Sequence, residues 1–190
     1  MDSADISPTL LRAGEEYLEA LRRLRLAPEG LLWARVNELR GIKVNENGKL
    51  RDDFDDYPGG PWHLVLITSV LDEGGPSALN ELLFKAYDAS ATPKEISPFI
   101  VEVLSAKSSF ARHLVQSLSM PPLGPVSISY TTTDGRKVTE PASPSDGQTL
   151  VGGLWFDKKW IYHLSGLRDR HTDRRRHWLE FKQSVNALAA

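Results

Sequence analysis

A chain of 190 residues, 41% hydrophobic and 25% charged, has the length and composition of one globular domain that can build its own core. Its net charge of −2 gives no overall attraction to nucleic acid or acidic lipid, so any such attraction must come from a local patch. The absence of cysteine excludes disulfides, thiolate nucleophiles and thiolate zinc sites.

Residues Met1 to Glu19 hold five acidic side chains and no apolar run, unlike a signal peptide, and the expected location is cytoplasmic. The longest apolar-rich run, Trp62 to Leu71, is about half the length needed to span a bilayer, so no membrane partner is expected.

Ser7 and Pro8 mark the start of a helix in which Leu10, Ala13, Tyr17, Leu21 and Leu24 share a face. Ala27-Pro28 breaks it. A second helix is expected next, with Leu32, Val36 and Leu39 on one side and Gly41 just past its end. Asn47-Gly48 reads as a tight turn, and Arg51 to Pro61 as a loop with four carboxylates. Trp62 to Leu71 fits either a buried strand or a short helix. Pro76 to Ala89 reads as a helix with Leu79, Leu82, Leu83, Ala86 and Tyr87 inward. Thr92-Pro93-Lys94-Glu95 has the form of a capping box, which predicts a helix running, with a break near Pro98, to Leu118.

The three prolines between Met120 and Pro125 stop regular structure, and the period then changes from helical to alternating. Val126, Ile128 and Tyr130 begin a hairpin that turns at Asp134-Gly135 and returns over Lys137 to Glu140. A second hairpin is expected from Thr149–Phe156, a turn at Asp157–Lys159, and Trp160–Leu164. A final helix carries Trp178, Phe181, Val185 and Leu188. The expected fold class is α+β: an N-terminal helical half, an antiparallel sheet of two hairpins, and a C-terminal helix packed on the sheet. One domain, 1–190, would comprise a helical region over 1–119, a proline-rich junction at 120–125, and hairpins plus final helix over 126–190.

The most unusual stretch is Arg168 to His177, with five arginines and two histidines in ten residues. Arginine forks fit phosphate oxygens, and Trp178 beside them offers a ring on which a base can stack. The same charges also suit a solvated helix start paired with Asp169, Asp173, Glu180 or the acidic loop. Arg170 and His177, separated by six residues, would share a helix face two turns apart. The pair is similar to the Arg-x4–6-His signature of HEPN-type ribonucleases. That resemblance implies metal-independent RNA cleavage, with Arg170 steadying the phosphate and His177 as acid/base. It covers eight residues, and the strand-like stretch after Val126 departs from that all-helical family.

The acidic loop Asp52-Asp53, Asp55-Asp56 lacks the spacing of an EF-hand. Gly152-Gly153 reads as a strand bulge or close backbone approach, because neither a Lys-Ser/Thr pair nor a helix follows. No metal or cofactor is expected. Five tryptophans are a generous number, and alternation cannot bury Leu154, Trp155, Phe156, Trp160, Ile161 and Tyr162 on one face. Either both faces are covered or one is a contact surface.

The reading that fits these features is a non-enzymatic interaction module. It would contact a protein partner or a second copy, as a homodimer, through an aromatic, Arg-rich C-terminal surface. Arg168, Arg170, Arg174, Arg175, His177 and Trp178 are the expected binding residues. The alternative is a ribonuclease or nucleic-acid-binding protein using Arg170 and His177.

Overall fold

The computed structural model describes residues 6–36, 38–39, 56–57, 60–119, 127–131, 137–141, 148–165 and 173–189. Helix α1, Pro8–Arg23, begins as expected: the Ser7 hydroxyl accepts from the Leu10 amide at 3.2 Å, and Pro8 occupies the first turn. Ala13, Tyr17, Leu18 and Leu21 form its buried stripe.

The next element corrects the expected second helix. Residues Gly30–Val36 form strand β1. Leu31, Leu32, Trp33 and Ala34 are all 0% exposed, so successive side chains are buried on both faces of a covered sheet. That requirement produces an unbroken apolar run in which a helical spacing arises by accident. Short strands β2, Glu38–Leu39, and β3, Asp56–Tyr57, pair with each other. The expected turn at Asn47-Gly48 and most of the acidic loop lie outside the described residues.

Trp62–Ile67 is strand β4, antiparallel to β1 over six residue pairs. Helix α2, Leu71–Asp88, carries the chain to β5, Val101–Leu104, which lies parallel to β4. Within α2, Gly75 has φ +75° and Pro76 follows it, so the first turn is set off from the rest by a kink.

The helix expected from the Thr92 box does not form. Thr92 is buried, and residues 92–97 make turns. The Tyr87 hydroxyl donates to the Lys94 carbonyl at 3.2 Å, and the Lys94 ammonium donates back to the Tyr87 carbonyl. A 3-10 turn at Pro98–Ile100, capped by Ser97, leads into β5, and only then does α3 run over Ser109–Ser119.

The expected pairing of the C-terminal strands also needs correction. Strands β6, Ser127–Thr131, and β7, Lys137–Pro141, pair antiparallel with each other as a separate two-stranded sheet. Strand β8, Gln148–Val151, turns at Gly152-Gly153 and pairs with β9, Leu154–Asp157. Both glycines have positive φ, +56° and +82°, as a two-residue primed turn requires. Asp157–Lys159 is not the hairpin turn: Lys158–Trp160 forms a 3-10 turn capped by the Asp157 carboxylate, and β10, Ile161–Leu164, goes on to pair with β1.

The result is a mixed sheet in the order β5-β4-β1-β9-β8, with β10 also on β1, in place of a purely antiparallel one. A single cluster of buried side chains extends from Ile6 to Val185, with Tyr17, Trp33, Phe156, Trp160 and Phe181 among the largest. Helix α4, Arg174–Asn186, packs alongside α2, and its Phe181 and Val185 join the same buried cluster as the sheet residues.

Candidate interaction surface

The start of α4 is where the sequence concentrates its charge. Arg168 and Arg170 lie outside the described residues, so of the Arg170–His177 pair only His177 is placed, half-buried on α4. Arg174 is 3% exposed and continues the inward stripe of Trp178, Phe181 and Val185. Its Nη1 lies 3.6 Å from Oδ2 of Asp72, in the first turn of α2. A guanidinium removed from water needs such a counter-charge.

Asp72 is a junction. Oδ1 accepts from the Ser105 hydroxyl at 2.7 Å, and the Lys107 ammonium lies 3.4 Å from Oδ2. The residues just past the end of β5 are therefore tied to the first turns of α2 and α4. The carboxylate stands at the positive end of α2, where the helix dipole favours it. The start of α4 has the opposite arrangement: Arg174, Arg175, Arg176 and His177 fill its first turn, with no acid among them. Arg176 reaches Asp173 at 3.8 Å and Glu180 at 3.5 Å.

The two helices run side by side in the same direction. Asp72 meets Arg174, Gly74 lies under the Trp178 ring, and farther along Lys85, with a smaller contribution from Lys182, holds the Glu81 carboxyl below its usual range. On the other side of α4, Arg175, Leu179, Lys182, Gln183 and Asn186 face outward. Leu179 is 47% exposed.

The aromatic side chains of residues 154–162 are taken into the structure. Leu154, Phe156 and Trp160 are buried, while Trp155, Ile161 and Tyr162 are half-buried. Trp62 and Trp160 meet edge to face at 4.7 Å. Arg35 of β1 has Trp62 and Trp155 as its cross-strand neighbours, and its guanidinium lies 5.3 Å from the Trp62 ring. Three of these six side chains are thus in the core, and the other three keep part of their surface in solvent.

Grooves open elsewhere. One of about 660 Å3 lies between α1 and residues 90–93, with Glu15, Glu19, Arg23, Thr92 and Pro93 on its walls. Its acids are partly engaged, since Glu19 holds Arg22 at 2.6 Å and the neighbouring Glu16 holds Arg12 at 2.9 Å. No set of three or more His, Asp or Glu side chains with metal-ligating geometry occurs among the described residues. Among them, too, no helix is long and apolar enough to cross a membrane.

Asp72 was not legible as a partner of Arg174, nor Ser105 and Lys107 as partners of Asp72, because contacts so distant in sequence leave no local pattern. Comparison of the chain with protein-family models, curated proteins and solved structures returns no match.

Proposed function

We propose that the protein is a non-enzymatic interaction module whose contact surface is the outward face of α4, presented to an acidic surface on another protein. The carrying observation is the division of labour on this helix. Arg174, Trp178, Phe181 and Val185 are spent on the interior, while Arg175 and Lys182 stay exposed around Leu179. A single exposed leucine is ordinary on a protein surface. Its setting is less so: α4 carries four cations against one acid, Glu180, on a chain whose net charge is negative. Two α4 faces brought together would set cations against cations, so a partner of opposite charge fits better than a second copy.

A labelled amphipathic peptide built from Leu and Glu, titrated at two salt concentrations, tests this reading. Binding that weakens with salt and disappears in the Arg175→Glu, Lys182→Glu double variant is expected. No binding at low salt overturns it. Tight, steeply salt-dependent binding of labelled RNA with none to the peptide would move the surface to nucleic acid.

A further inference from the structure

β5 ends the sheet: it pairs with β4 and, among the described residues, with no strand on its other side. The Leu104 carbonyl accepts from the Thr68 amide at 2.9 Å, so the backbone groups of Leu104, and of Glu102 two residues earlier, turn towards β4. Val103 consequently directs its N–H and C=O groups to the free edge, whereas the Val101 N–H is already taken by the Pro98 carbonyl. All four residues of β5 are half-buried, whereas Leu64 to Ile67 of the adjoining strand are fully buried. At the entrance to β5 stands Phe99, 83% exposed, its ring held edge to face against Phe84 of α2 at 5.0 Å. A large aromatic left in water beside an open edge rich in valine is the combination that sheet extension uses.

We propose that β5 pairs antiparallel with β5 of a second copy about a two-fold axis, joining two sheets into one. Charge fixes the register, and the pairing it sets is complementary to itself. Centring the pair on Glu102 would set two carboxylates directly opposite each other, which is destabilising. Centring it on Val103 uses the outward N–H and C=O of that residue in both copies and places Glu102 opposite Leu104. The Glu102 carboxylate already turns back towards Nδ1 of His63, 4.0 Å away, and leaves the edge clear. Antiparallel pairing brings the entrance of one β5 beside the exit of the other. Phe99 then comes beside Lys107 of the second copy, whose side chain is 53% exposed and can share its ammonium between Asp72 and the aromatic ring. A two-fold contact consumes both edges and closes, so the assembly stops at two. Four strand residues and one phenylalanine from each copy bury less than the roughly 1,200 Å2 of a standard interface, so the dimer is weak and concentration-dependent. The contact uses no residue of α4 and is independent of the surface proposed above.

Light scattering of the full chain from low to high micromolar concentration tests this. The mass should climb from 21.2 kDa towards twice that value. Val103→Pro removes an outward donor at a position where an edge strand tolerates proline, and should leave a folded monomer. Phe99→Ala alters an exposed ring and should weaken dimerisation several-fold while unfolding remains unchanged. Leu179→Ser should dimerise like the parent. A monomer mass at every concentration overturns the proposal. So does a dimer that persists in folded Val103→Pro, or one that is lost in Leu179→Ser.

Discussion

Gly74 lies directly beneath the indole of Trp178, which occupies the space a side chain there would need: a Cβ built on Gly74 falls far inside contact with three ring carbons. The last helix is thus keyed to the first turn of α2 by the absence of a side chain. Alanine at this position gains under about 1 kcal/mol of helix propensity. Displacing a packed ring costs about 1–3 kcal/mol. Gly74→Ala should therefore lower the denaturant midpoint. Combined with Trp178→Ala it should add much less than it does alone, because the two changes act on one contact. Full additivity in such a double-mutant cycle would show that the ring does not depend on the glycine.

The buried and exposed arginines of α4 should differ sharply. Removing the carboxylate beside Arg174 takes a counter-charge from a buried guanidinium, and Asp72→Ala should cost about 3 kcal/mol, the low end for breaking a buried pair because Asp72 keeps some solvent. Arg176, exposed between Asp173 and Glu180, should cost under about 1 kcal/mol when changed to alanine. Equal costs from urea unfolding would contradict the burial assigned to Arg174.

Phe181 is fully buried where α4 meets the rest of the core. Phe181→Ala should destabilise by roughly 3–5 kcal/mol. A loss below about 1 kcal/mol would mean that α4 is peripheral to the cooperative unit.

Alkaline unfolding should involve Tyr162. Its hydroxyl donates to the Leu11 carbonyl at 2.6 Å, and burial pushes its pKa from 10.0 up to about 12, with the Trp33 indole opposing the shift. Tyr17 is raised in the same direction by burial. The folded state then holds these protons more tightly than the unfolded state. Their contribution is complete below pH 10 and lost as pH rises through 10 towards 12. Unfolding followed from pH 9 to 12 should show falling stability with a shallower slope in Tyr162→Phe, Tyr17 supplying the remainder. A slope identical to the parent's would remove Tyr162 from the account.

What could be read from the sequence was whatever the chain decides locally. The start of α1 follows from Ser7 and Pro8 alone, and the inward stripe of α4 from the spacing of Trp178, Phe181 and Val185, whereas Leu188, expected on the same stripe, falls in a 3-10 turn past the helix and is 41% exposed. β1 was misread because Leu31 to Ala34 are buried on both sides, which erases the alternation that marks a half-buried strand. The box at Thr92 was misread because Tyr87 and Lys94 draw the same residues into a turn. At Gly152-Gly153 the doublet was visible, but a bulge and a primed turn ask for the same residue. The candidate surface was half legible: the charge of residues 174–177 is in the sequence, whereas the division between Arg174, turned inward to Asp72, and Arg175, turned outward, exists only once α2 lies alongside.

The position of β1 at the centre of the sheet has a consequence for the chain as it is made. One edge of β1 is occupied by β4 and the other by β9 and β10, which come from the last quarter of the sequence. During synthesis the first edge can be matched early, while the second has to wait for the ribosome to release residues beyond Leu164. Through that interval Leu31, Leu32 and Trp33 sit on a strand with one side open, a surface suited to chaperone capture or to mispairing with a neighbouring nascent chain. Completion of the sheet is therefore a late, non-local event, and topologies of that kind fold slowly.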